Sequence, residues 1–359
     1  MNTWKKISHL YNIFTDSGLG SILKVFGDYT FNEYDMTKSA HLASGELRYL
    51  IDIFVLSKSF NPKKLAELIG KDITEILINS GMAVSAGKKM YKLKVRLASF
   101  KSGYLFLPTD TVLNSFVQTN NEIVSLIPSC KCQKLRKILV LFPIFGAEII
   151  IAKYNNPDAE IFYYCHHDYT NIIKLNLMLN SVNAKECKTI DSHKKQKYDM
   201  ILSSPPYIPS FEPINGFNFD FGRDGTLGVI KTLRLATELL SRNGVLYLIS
   251  GYNFKNQDYK KQFERLLRSY KYSGTLFLTS KYQFIPKPGS LVFNQTLSIF
   301  ASQKKLDDLR ELSKEISAYA EANNINWSAL FFCLLKKSND ASKLEVVDYT
   351  NDYYGNWLL

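Results

Sequence analysis

Apolar positions along the 359-residue chain fall into two successive patterns. Up to about residue 105 they recur at helical spacing. The stretch "SGELRYLIDIFVLSK" (44–58) predicts one helix. "NPKKLAELIG" (61–70) predicts a second, with Asn61 as N-cap, Pro62 at the first helical position and Gly70 as the stop. "DITEILINSG" (72–81) predicts a third, in which Asp72 and Glu75 have capping-box spacing and Gly81 ends the run. Residues 82–100 then alternate about Gly87-Lys88, the signal of a hairpin. Three short helices and a hairpin form a winged-helix pattern. The third helix is mostly apolar (Ile73, Ile76, Leu77, Ile78), so packing or covering a substrate suits it better than reading DNA bases.

Beyond residue 106 the grammar changes. Short apolar runs at 137–142, 160–165, 198–203, 244–250, 274–280 and 295–302 predict strands. Helical stretches at 146–154, 168–181, 226–241 and 256–269 separate the first five. Strands alternating with helices predict an α/β fold with a doubly wound, mostly parallel sheet. The last two strands have no helix between them and are expected to form an antiparallel edge pair. Residues 304–323 read as an amphipathic helix. The expected domains are a helical, winged-helix-like unit (1–105), the α/β unit (106–302) and a C-terminal helical extension (303–359).

Composition narrows the function classes. Hydrophobic residues at 46% and charged residues at 22% are ordinary for a soluble globular chain. The net charge of +12 fits nucleic acid, an anionic cofactor or an acidic partner, but equally a lysine-rich solvated surface. The lysines are scattered, with no long basic tail. Five cysteines without a CxxC spacing argue against a disulfide framework or a zinc finger and for reduced thiols in a cytoplasm. The strongest apolar run (138–152) is too short to span a membrane and carries Glu148, so no membrane association is expected.

The chemistry concentrates in "YDMILSSPPYIPS" (198–210), where a core strand ends on a rigid corner. A doubly wound sheet binds ligands outside the carboxyl ends of its strands. Prolines fix the backbone and leave neighbouring carbonyls free to accept. Ser204 can also accept, and Tyr207 offers a flat face. The set suits a planar amino group, whose hydrogens would go to Ser204 and a proline carbonyl while Tyr207 stacks on its plane.

Ser204-Pro205-Pro206-Tyr207 resembles the (N/D/S)PPY motif of class I S-adenosylmethionine-dependent methyltransferases that act on amino or amide nitrogens, the HemK type in particular. "KYDMIL" before it, with Asp199, and "GRDGTLGVIKTLRLATELLSRNGVLYLIS" (222–250) after it are similar to the same enzymes. The likeness spans about residues 136–302. It implies a seven-stranded Rossmann-like sheet, S-adenosylmethionine as cofactor and Ser204, Pro205, Pro206 and Tyr207 as the catalytic corner.

The cofactor half departs from the pattern. Val140 stands at an acidic position, and Phe142 and Ile144 stand at glycine positions of the family loop, of which Gly146 survives. Cys165 occupies the place of the acid that holds the ribose, followed by His166, His167 and Asp168. Asp191 is the candidate for the adenine. By this resemblance the cofactor-binding residues are Phe142, Gly146, Cys165, His166 and Asp191, and no metal site is expected. The segment 208–225 should wall the acceptor site, with Phe211, Phe217, Arg223 and Asp224 as candidate contacts. Its phenylalanines favour a small-molecule acceptor, and RNA or protein remains as the alternative. A second reading is a methyltransferase-fold protein that has lost catalysis and serves as a binding module or partner subunit.

Overall fold

The computed structural model describes residues 3–25, 37, 40–100, 103–109, 135–143, 145–205, 222–255, 259–283, 306–338 and 344–348. They form two compact units, one of residues 1–125, 144–154 and 167–184, the other of residues 126–143, 155–166 and 185–359.

The first unit opens with α1 (Thr3–Asp16) and α2 (Leu19–Val25), followed by α3 (Gly45–Leu50), which runs on as a π turn over Ile51–Val55. Helices α4 (Pro62–Ile69) and α5 (Lys71–Asn79) come next. Asn61 caps α4 as expected, its Oδ1 accepting from Lys63 N–H at 2.9 Å. The expected capping box of α5 does not form. Asp72 lies inside the helix, and its carboxylate meets Lys6 Nζ at 2.7 Å instead. Two hairpins follow: β1 (Ala83–Gly87) with β2 (Met90–Leu93), and β3 (Val95–Phe100) with β4 (Gly103–Pro108). The single hairpin expected over 82–100 is therefore two, because Val95–Phe100 finds its partner downstream. The expected boundary at 105/106 falls within β4, where Leu97 pairs with Phe106. Helices α6 (Ala147–Asn155) and α7 (Thr170–Leu179) belong largely to the same unit. Its core gathers round Phe14 of α1, which meets Phe54 and Tyr104 edge-on at 5.0 and 5.8 Å. Fully burying one such ring contributes roughly 1.5–3 kcal/mol.

The second unit is built on one mixed, mostly parallel sheet. Its strands are β5 (Lys137–Leu141), β6 (Glu160–Tyr164), β7 (Lys185–Glu186), β8 (Tyr198–Ser203), β9 (Leu240–Lys255), β10 (Tyr272–Gln283), β11 (Ile325–Lys337) and β12 (Leu344–Asp348), in the order β12-β10-β11-β9-β8-β5-β6-β7. The described strands number eight, against seven expected. Strands β5 to β9 pair in parallel, whereas β11 is antiparallel to both β9 and β10.

The expected edge strand 295–302 lies outside the described residues, and β10 takes β11 as its antiparallel partner. The helical extension expected over 303–359 is helical at α10 (Leu306–Ala322) and then becomes β11 and β12. "INWSALFFCLLKK" is apolar enough to be buried on both faces, which suits an interior strand. Phe277 and Phe332 stack across the β10–β11 pair at 4.2 Å. At Gly274 the two strands approach so closely that a Cβ would lie 1.9 Å from Leu334 O.

Helix α8 (Leu227–Leu239) buries Val229, Leu233, Ala236 and Leu239, and α9 (Tyr259–Ser269) buries Phe263 and Leu267, all in the core that includes Leu139, Ile201, Leu246 and Phe331. These apolar positions recur every three or four residues, so each helix turns one stripe inward.

Candidate functional site

Register places the relevant strand ends side by side. Leu141 pairs with Tyr164 and with Ser203, and Ser203 pairs with Leu248. Cys165, Phe142, Ser204 and the Ile249-Ser250 step of β9 therefore follow one another along the carboxyl edge of the second unit's sheet. Ligands bind at this edge in sheets of this kind.

Ser204 is 1% exposed, and among the described residues its Oγ has no hydrogen-bond partner. Its neighbour Ser203 differs, with Oγ 2.9 Å from Thr232 Oγ1 of α8. An unsatisfied buried hydroxyl costs about 1–3 kcal/mol, so it calls for a reason. Pro205 O accepts from Ser250 Oγ at 3.3 Å, and Ser250 also reaches Gly251 O at 3.2 Å. Pro206, Tyr207, Phe211, Phe217 and Ile144 lie outside the described residues.

A second set of polar contacts lies further along β9, around Asn253. Asn253 Nδ2 donates to Asp224 O at 2.6 Å, and Asn253 Oδ1 accepts from Ser328 Oγ of β11. The Asp224 carboxylate accepts from Thr226 N–H at 3.0 Å and from Thr226 Oγ1 at 2.8 Å, fixing the entry to α8. Burial, helped by Asp224, pushes the Tyr252 hydroxyl up to about 12. Arg223 Nη2 lies 3.5 Å from Glu315 Oε1 of α10 in an exposed pair. Of the candidate acceptor contacts, Asp224 is thus committed to its own loop and Arg223 to a surface ion pair. Ser250, Asn253 and Ser328 were not anticipated. Their signal is polar side chains inside strands that otherwise read as core.

On the cofactor side, Phe142 has φ +61°, the left-handed region a glycine would favour. Its N–H donates to Tyr164 O at 2.8 Å and its ring meets Tyr164 edge-on at 6.1 Å. Cys165 and His166 are half-buried just beyond β6. Asp191 opens the short helical turn Asp191–His193 after β7, and its exposed carboxylate pairs with Lys194 Nζ at 2.7 Å. Gly146, in the first unit, has φ +85° and precedes α6. Asp199 sits at the opposite edge, where its carboxylate accepts from the N–H groups of Arg136 and Lys137 at 2.8 and 3.1 Å. Among the described residues no cluster of His, Cys, Asp and Glu could hold a metal ion, and no helix is long and apolar enough to cross a membrane.

No protein-family model matches the chain, and neither does any curated protein. Among solved structures it is similar to TYW2 of M. jannaschii in complex with AdoMet (9% identity, 70% of this chain and 92% of that one, TM-score 0.39). It is also similar to a SAM-dependent methyltransferase from Thiobacillus denitrificans in complex with S-adenosyl-L-homocysteine (10% identity, 64% and 100%, TM-score 0.36). A third is coclaurine N-methyltransferase bound to N-methylheliamine and SAH (14% identity, 64% and 75%, TM-score 0.33). Scores this low carry no inference about substrate.

Proposed function

We propose that the protein is an S-adenosylmethionine-dependent N-methyltransferase acting on an amino or amide nitrogen of a small molecule. The observation that carries this reading is the buried hydroxyl of Ser204 at the carboxyl end of β8, beside the carbonyl of Pro205 and without a hydrogen-bond partner among the described residues. Both oxygens can accept, so a planar N–H donor would complete them.

The end of β5 fits the cofactor in backbone shape, since Phe142 holds the left-handed conformation of a glycine-type loop. In this reading Phe142 meets the methionine part, Cys165 and His166 meet the ribose, and Asp191 meets the adenine once it leaves Lys194. When bound, S-adenosylmethionine supplies an electrophilic methyl group. Ser204 Oγ and Pro205 O take the acceptor's N–H bonds and aim the nitrogen lone pair outward, while Tyr207 covers the acceptor plane. Positioning and exclusion of water would then supply most of the catalysis, and the proton of the methylated nitrogen would pass to solvent. Within the first unit, α4 and α5 lead into the β1–β2 hairpin, which a Phe60–Tyr91 bridge ties back to the start of α4, and this supports a winged-helix-like assignment.

One observation favours the second reading, a non-catalytic binding module: Cys165 stands where a ribose-binding acid would be. Isothermal titration with S-adenosylmethionine and S-adenosylhomocysteine separates the two. Micromolar binding is expected, followed by methylation of small amines. Absence of binding at millimolar ligand would favour the binding module. Methylation of RNA alone would overturn the small-molecule acceptor.

A further inference from the structure

The amino edge of the second unit's sheet, at the other end of the strands from the candidate site, carries a row of cations whose order the register fixes. Lys271 immediately precedes β10. Lys336 of β11 pairs with Ser273 of β10 and with Val245 of β9, and Lys337 pairs with Tyr272. Val245 in turn pairs with Met200 of β8. Below that level residues 241–244 of β9 bulge against β8 and carry Arg242, while Lys197 immediately precedes β8. Along β10, β11, β9 and β8 the row therefore reads Lys271, Lys336 with Lys337, Arg242, Lys197. Neighbouring strands lie about 4.8 Å apart, so it spans roughly 14 Å.

Lys197, Arg242, Lys271 and Lys336 are exposed, and Lys337 is half-buried. Among the described residues none of the five meets a carboxylate in an ion pair, although other cations of this unit do: Lys185 with Glu160, Lys194 with Asp191 and Arg223 with Glu315. The end of α8 gathers two of the row, with Lys197 Nζ donating to Glu238 O and Lys337 Nζ to Leu240 O at 2.9 Å. A helix C-terminus attracts cations. Like charges are thereby brought together: burial first, and then the Lys197 charge, hold the Lys337 ammonium below its ordinary value. The carboxylates that border the row are already engaged. Glu238 meets Lys194 Nζ at 3.7 Å, Asp199 accepts from the Arg136 and Lys137 N–H groups, and Glu345 accepts from Thr275 Oγ1 at 3.2 Å.

The row lacks what a protein partner needs. Among the described residues the exposed large apolar side chains are Leu42, Val84 and Tyr154, all in the first unit, whereas protein interfaces close round an apolar centre. The phosphates of a polyanion need only cations. We propose that this edge binds the phosphate backbone of a nucleic acid and reads no sequence. The surface is separate from the candidate methyltransferase site and stands whether or not S-adenosylmethionine binds at the opposite edge.

The test is fluorescence anisotropy of the full chain with a labelled single strand of about 20 nucleotides, as RNA and as DNA of one sequence, from about 50 mM salt upward. Each engaged phosphate contributes about −0.7 to the slope of log affinity against log salt, so the unaltered chain should show about −3. RNA and DNA should bind within about threefold of each other, since backbone contacts carry no sequence. The triple variant Arg242→Gln, Lys271→Gln, Lys336→Gln should melt like the parent, bind about tenfold or more weaker and lose about 2 from the slope. A control, Lys63→Gln, Lys88→Gln, Lys92→Gln, removes the same charge from exposed positions of the first unit and should bind within about twofold of the parent. Equal losses in the two triple variants would show that net charge alone attracts and would overturn the proposal. A slope near zero, or a preference of about tenfold for RNA or DNA, would also overturn it. Polyglutamate should compete poorly, and competition at equal concentration of charge would assign the row to an acidic protein instead. Should the edge triple variant fail to fold, its three single variants decide: each should flatten the slope by about 0.7, and three unchanged slopes would overturn the proposal.

Discussion

Ser250 Oγ stands between two carbonyls, 3.3 Å from Pro205 O and 3.2 Å from Gly251 O, with one proton to give. It is the described link between β9 and the corner after β8. Ser250→Ala should lower stability by about 1 kcal/mol, the usual net worth of one hydrogen bond. It should also raise the acceptor KM while leaving the S-adenosylhomocysteine Kd unchanged. Steady-state kinetics beside titration would check this, and an unchanged acceptor KM would place the Pro205 carbonyl outside the acceptor's path.

Ser204 carries the opposite expectation. An unpartnered buried hydroxyl burdens the fold, so Ser204→Ala should melt at the parent's temperature or slightly above it. Turnover should fall about tenfold or more, since the acceptor loses one of its two N–H partners. Tyr207→Ala should depress turnover as well. A clear drop in melting temperature for Ser204→Ala would mean that the hydroxyl serves the fold and no ligand.

Glu148 predicts a pH dependence of stability. Burial within α6 raises its carboxyl from 4.5 to about 7. Below pH 4.5 the group is neutral in both the folded and unfolded states. Between pH 4.5 and 7 the unfolded chain gives up this proton and the folded chain keeps it, so stability falls as pH rises. Above 7 the loss is constant at about 3 kcal/mol. Glu148→Gln should flatten this slope and be the more stable form at pH 8. Denaturant melts from pH 4.5 to 8 would show it, and parallel pH profiles of the two proteins would refute it.

The described cysteines should differ in reactivity. Burial pushes the Cys187 thiol up to about 12 and raises that of Cys333 as well. Cys165 is half-buried at the end of β6. Iodoacetamide at pH 8 should therefore modify Cys165 well before the other two, and S-adenosylhomocysteine should slow that modification. Peptide mapping by mass spectrometry reads both effects, and an unprotected Cys165 would remove it from the ribose contact.

Much of the parallel sheet could be read in the chain because β5, β6 and β8 are continuous apolar runs that end at polar punctuation. The strand β11 could not. In "WSALFFCLLKK" the apolar residues neither alternate nor follow helical spacing, and what fixes them as a strand is pairing with Leu246–Leu248 and Leu276–Leu278, far away in sequence. The site divided in the same way. Ser204 and Pro205 stand out as a local corner, whereas Asn253 acts on a backbone group 29 residues distant. Within the first unit, Asn176 and Asn180 hydrogen-bond Phe106 and Tyr104 of β4, 70 and 76 residues away, and two asparagines four apart in the apolar run "NIIKLNLMLN" are the one local sign of it.

The place of β11 between β9 and β10 also sets a timetable. A ribosome delivers β9 and β10 well before their shared partner exists, so both wait with open edges that could pair with another chain. Only when residue 337 has cleared the exit tunnel can the gap be filled. The sheet's interior is therefore closed late, by β11, and β12 is added to the outer edge of β10 only afterwards. Any interruption of synthesis after β10 and before β11 leaves a fragment prone to aggregate.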